Sequence, residues 1–285
     1  MRSIWRSALA VGLAGIMAPL NAQLAKNPND NKSTGVVVVL PPPGNRGDGL
    51  EPGAVHLPGL EYRSGTGWWA LACGARCELH ALKMDVKPQP HPQYDGDPVP
   101  GQLLRFTPTP PPGTLAMFKP FRAPATGLVL KAGPVVSWHQ GLSGPTSGLK
   151  RSTRTPGTME GELQLPSGEV LRVVPVLLTL GKAQPEQDNG DEPRGRLTIE
   201  LQLGGRRQLL DSLPYGGVEG LPTYKPAELV RWVGDLDGDG EPDLIVDTGG
   251  GGWHLVLYLS SLAAPGGIVG EAGRFDYFPI DVAGC

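Results

Sequence analysis

The chain is poor in the features that would place it quickly. Aromatic residues make up 6% of its 285 positions, charged residues 19%, and there are three cysteines. With 25 Lys and Arg against 28 Asp and Glu, the formal charge is −3, and no dense basic stripe interrupts that balance. Such a chain lacks the electrostatic footprint of a nucleic-acid binder. No apolar run reaches the roughly 20 residues that a helix needs to cross a bilayer. There is no HExxH pair, and Ser143 sits in GLSGP, not in the GxSxG elbow of a hydrolase. The glycine run 249–252 is followed by no Lys-Ser/Thr, so it does not read as a phosphate loop. These absences count against an enzyme, although catalytic groups can lie far apart along a sequence.

What the chain has in abundance is 42 glycines and 31 prolines. Both residues break helices and punctuate turns. The expectation is an all-β protein with little helix. Its short antiparallel strands would form one or two sandwich-like or partial-propeller-like units.

The N-terminal stretch MRSIWRSALAVGLAGIMAPLNAQ places Arg2 and Arg6 before an uncharged, mostly apolar run at 8–20. It is too short to span a bilayer and ends near the small residue Ala22, the pattern of a secretory signal over 1–22. No cysteine follows it, so lipid attachment there is not expected. Loss of the two arginines would leave a net charge of −5. A secreted or periplasmic location makes the cysteines candidates for disulfides. Cys73 and Cys77 bracket Gly-Ala-Arg, a spacing at which a three-residue hairpin loop would bring the two Cβ atoms together. A zinc site would need two further ligands that Cx3C does not supply. Cys285 is left over.

The remaining chain divides by composition. Residues 23–50 form a flexible Pro/Gly-rich segment, in which Arg46-Gly47-Asp48 reads as an ordinary loop tripeptide. A first β region spans 51–140 with the Cys73–Cys77 hairpin. The adjacent Trp68 and Trp69 point to opposite faces of one strand there. His56, His80 and His91 show no ligand spacing. A small, polar stretch at 141–158 reads as a linker, and a second β region follows at 159–285. In it, Pro166-Ser167-Gly168 and Gly204-Gly205 mark hairpin turns, and RLTIELQL alternates apolar and polar residues as a half-buried strand does.

One stretch carries sharp chemistry. VGDLDGDGEPDLIV, residues 233–246, spaces Asp235, Asp237, Asp239 and Asp243 at loop positions 1, 3, 5 and 9, with Gly240 at position 6. Calcium takes six to eight oxygens, and a tight loop that turns alternate carboxylates inward supplies them. The carbonyl of Glu241 at position 7 offers a further oxygen. Magnesium, which resists dehydration and demands a strict octahedron, suits the loop less well. A helix–loop–helix EF-hand fits poorly, since position 12 is Val246 and Pro242 stands at position 8. Residues 229–260 resemble the FG-GAP repeat of integrin-type and VCBS-type extracellular β-proteins, in which a strand, a DxDGDGxxD loop and a second strand form one unit. One copy is present. The resemblance implies calcium on Asp235, Asp237, Asp239 and Asp243.

The function expected on these grounds is that of an exported, calcium-stabilised, non-catalytic β-protein that binds a protein or glycan at the cell surface or in the periplasm. An exported hydrolase, or an inhibitor or accessory subunit of another enzyme, is the alternative, with the calcium loop as scaffold.

Overall fold

A computed structural model describes residues 37–42, 54–59, 61–91, 97–120, 130–140, 150–151, 159–179, 195–210, 229–247 and 253–277. The expected signal, the Arg-Gly-Asp tripeptide, the glycine run 249–252, most of the expected linker and Cys285 lie outside them. The all-β expectation holds. The described residues form sixteen strands: β1 (Val37–Leu40), β2 (Ala54–Pro58), β3 (Gly65–Cys73), β4 (Cys77–Pro88), β5 (Gly101–Thr107), β6 (Thr114–Pro120), β7 (Gly133–Gln140), β8 (Lys150–Arg151), β9 (Met159–Gln164), β10 (Val170–Thr179), β11 (Gly195–Leu203), β12 (Arg206–Leu209), β13 (Val230–Asp235), β14 (Asp243–Asp247), β15 (Trp253–Leu259) and β16 (Gly270–Tyr277). A 3-10 turn at Ser260–Leu262 follows β15.

The tight hairpins fall where turn chemistry put them. β3 and β4 run antiparallel in a register that sets Cys73 opposite Cys77, and a disulfide joins the pair. Val170 pairs with Gln164 across the Pro166-Ser167-Gly168 turn. Gly204 and Gly205 take φ of 56° and 79°, a conformation that a two-residue hairpin loop requires and that side-chain-bearing residues resist.

Two sheets result. The larger has eleven strands, in the order β1-β6-β3-β4-β7-β13-β14-β15-β16, with β5 branching from β4 and β2 pairing with β5. The branch arises because β4 is long. Its beginning pairs Cys77–Leu79 with β7, and its end pairs Lys83–Pro88 with β5. β7 pairs in turn with β13, so strands from both sides of residues 141–158 share this sheet. The sheet curls until β16 lies against β1, making a nearly closed barrel. Gly273 permits that approach, because a Cβ there would lie 2.0 Å from the carbonyl oxygen of Val37. The smaller sheet has five strands in the order β12-β11-β10-β9-β8.

Strand alternation divides the apolar side chains between two cores. Trp232, Ile245, Leu255, Leu257 and Leu259 face into the barrel with Leu71, Met84, Met117 and Phe118. Their neighbours Val233, Leu244, Val246, Val256 and Tyr258 face outward onto Leu171, Ile199, Leu201 and Leu203 of the five-stranded sheet. β13, β14 and β15 are thus covered on both faces. That is why Leu244–Val246 and Leu255–Leu259 read as continuous apolar runs, whereas β11, with Glu200 and Gln202 on its second face, alternates. Residues 31–285 form one compact unit.

Candidate metal centre

The acidic loop joins two of these doubly covered strands. β13 ends at Asp235 and β14 begins at Asp243, with Gly234 opposite Asp243 across the ladder. The entry to the loop is crowded: a Cβ on Gly234 would come within 2.3 Å of both the Val136 carbonyl oxygen and Trp232 Cζ2. Trp232 is fully buried and donates its indole N–H to Ser137 Oγ at 2.8 Å, which pins the end of β13 to β7. Within the loop, Gly238 and Gly240 take φ of 83° and 85°, the left-handed turns that bring successive aspartates to one side.

Asp235, Asp237 and Asp239 converge. Each offers a carboxylate oxygen, and these oxygens lie within 4.8 Å of one another. Among the described residues this is the one group of three or more His, Cys, Asp or Glu side chains that could hold a metal ion. Backbone amides hold the carboxylates in place. Asp235 accepts from Gly238 N at 2.6 Å and from Gly240 N at 3.0 Å, and Asp239 Oδ1 accepts from Glu241 N at 2.8 Å. A carboxylate oxygen has lone pairs enough to accept one such bond and still ligate a cation. Asp237 Oδ1 is buried with no hydrogen-bond partner, an arrangement that a folded protein normally avoids.

Asp243 behaves differently. Its carboxylate is fully buried, and it accepts from Leu236 N at 2.7 Å, Ser260 N at 2.8 Å and Ser260 Oγ at 3.0 Å. Asp243 therefore closes the loop on itself and ties it to the end of β15. Burial pushes its carboxyl up to about 7, with the nearby charge of Asp237 adding to the rise against the hydrogen bonds it accepts. Asp237 is also raised, chiefly by burial, and by the charges of Asp239 and Asp235 against a bond from Ser261. A positive ion among these groups would reverse that penalty.

Of the five residues expected to ligate, the structure brings three carboxylates together. It places Asp243 beside them as a brace; Glu241, expected to offer its backbone carbonyl, has its side chain 3.7 Å from Arg206. That pair is more than one-third exposed on both sides and contributes little. Two residues that spacing did not indicate also enter the site. Ser260 Oγ lies 2.8 Å from Asp239 Oδ2, and Ser261 Oγ donates to Asp237 Oδ2. Neither serine could be found from the motif, since they reach it through the β14–β15 pairing. The fold also sets the rings of His56 and His91 4.8 Å apart, again without a spacing signal. No third ligand residue joins them among the described residues.

The donor set consists of hard oxygens, which suits a hard divalent cation and not a soft one. The three carboxylate oxygens, all within 4.8 Å of one another, are close enough to share one cation. No protein-family model, no curated protein and no solved structure matches the chain.

Proposed function

We propose that residues 235–243 form a structural calcium site in an exported, non-catalytic β-protein whose task is to bind a protein or glycan partner outside the cytoplasm. The observation that carries this reading is the convergence of Asp235, Asp237 and Asp239 on a loop braced at both ends by buried strands. The FG-GAP-like order of the aspartates and glycines supports calcium over other hard ions. The basic start and apolar run of residues 2–22 support export. A single staple of this kind, with affinity in the range of about 10⁻⁴–10⁻³ M common to extracellular sites, would be filled outside cells and empty inside them.

The test is titration calorimetry with calcium, then thermal unfolding, on the full chain and on an Asp237→Ala/Asp239→Ala variant. Calcium at about ten times its Kd should add about 1.4 kcal/mol, or about 3–5 °C in Tm, to the wild type and nothing to the variant. Absence of both heat and a Tm shift in the wild type would sink the calcium assignment.

A further inference from the structure

The two sheets share no backbone ladder among the described residues, yet polar contacts join them close to the acidic loop. These contacts run through residues 260–269. At one end of the segment, Ser260 and Ser261 hold Asp243, Asp239 and Asp237. Two successive turns follow, closed by Ala263 N donating to Ser260 O and Gly267 N donating to Ala264 O. Gly270 keeps the segment pressed on β16, because a Cβ there would lie 2.0 Å from Leu262 O. At the other end, one side chain of β12 takes over. Gln208 accepts from Ile268 N at 2.6 Å and Val269 N at 2.9 Å, and its Nε2 donates to Val269 O at 2.6 Å. Gln208 thereby does for the edge strand what a neighbouring strand would do. Arg206 completes the circuit by donating to Gly267 O at 3.1 Å while lying beside Glu241 of the loop.

We propose that residues 260–269 act as a clasp that couples the acidic loop to the docking of the five-stranded sheet on the barrel. Ordering the loop tightens β12 against the barrel, and releasing β12 loosens the loop. Two elements joined through one short, turn-locked segment must influence each other equally, because coupling free energy is reciprocal. The role of calcium as the agent that orders the loop rests on the reading given above. The coupling itself rests on the contacts of Ser260, Ser261, Gln208 and Arg206. Its consequence is that calcium bound at one end of the barrel would set how firmly a whole second sheet is held.

Hydrogen–deuterium exchange on the full chain, in calcium and in chelator, tests both statements. In chelator, Gln208→Ala should speed exchange of the Gly238 and Gly240 amides about five- to tenfold, as expected for loss of a few hydrogen bonds to a locally opening unit. Arg207→Ala, an exposed position on the same strand, should leave them unchanged. In the wild type, calcium should slow exchange over 206–209 as well as in the loop. Loop amides in Gln208→Ala that stay within about twofold of wild type would overturn the coupling, whatever calcium does. Calcium that fails to slow the loop's own amides would overturn the calcium reading alone, and the chelator comparison would still decide the coupling. Should Gln208→Ala not fold, Ser261→Ala probes the clasp from its exposed end. Faster exchange over 206–209 supports the coupling, and unchanged exchange removes it.

Discussion

Asp243 shows most clearly how burial and charge oppose each other in this molecule. Its carboxyl, raised to about 7 by burial and by Asp237, holds a proton in the folded chain that the unfolded chain has already released. More protons are bound in the folded state between about pH 4 and pH 7, so the stability of the cation-free protein should fall as pH rises through that window. Added calcium should offset the loss, so its effect on Tm should be small near pH 4.5 and larger near pH 7.5, on the order of the shift predicted for saturation. Thermal scans in chelator and in calcium across this range check the point. Asp243→Asn, which does not titrate, should flatten the chelator profile and lower stability throughout, since an amide cannot accept from all three of its donors. At Gly234 the expectation is steric. Gly234→Ala puts a methyl group 2.3 Å from a backbone oxygen and from the Trp232 ring, and should cost about 1–3 kcal/mol in urea unfolding.

Among the elements, the β3–β4 hairpin and the β13–β14 loop use different staples for the same task. The disulfide closes a loop of five residues, so reduction should lower stability by about 2 kcal/mol by chain entropy. The measurement is urea unfolding with and without a dithiol reductant. A much larger loss would mean that the disulfide also holds the Cys77 end of β4 against β7. The β13–β14 loop has no covalent tie. Its closure depends on backbone amides donating to Asp235, Asp239 and Asp243, and on the serines that follow β15. Ser260 Oγ has one hydrogen to donate and two carboxylates within reach, Asp239 and Asp243. A proton on one of them, or a cation beside them, relieves that conflict.

For the molecule as a whole, the decisive fact is that β13, β14 and β15 belong to two cores at once. Neither core is complete without them: Ile245 and Leu257 fill the barrel, while Leu244, Val246 and Tyr258 support the five-stranded sheet. Heating should therefore give a single cooperative transition by calorimetry, with calorimetric and van't Hoff enthalpies in agreement. Two separated transitions would show that the sheets unfold independently. Gly273→Ala, which forces β16 away from β1 at the barrel seam, should lower the midpoint of that one transition without splitting it.

Local patterns carried much of this from the start. Glycine and proline content with period-2 stretches indicated short antiparallel strands. Pro166-Ser167-Gly168 and Gly204-Gly205 located two hairpins, Cys73 and Cys77 a third, and the aspartate spacing located the acidic loop. Each of these depends on residues a few positions apart, where backbone geometry alone dictates which side chains meet. The fork of β4, the β1–β16 seam, the reach of Ser260 and Ser261 into the aspartates and the Gln208 contact with residues 268–269 were not legible. They join segments from 14 residues apart, as at Pro88 and Gln102, to more than 200, as at Val37 and Gly273. Alternation tells which residues share a strand face, but not which strand edge or which core that face will meet. That choice falls to the packing of the assembled chain, where burying the most apolar surface on both sides of β13–β15 fixes the partners of every element around them.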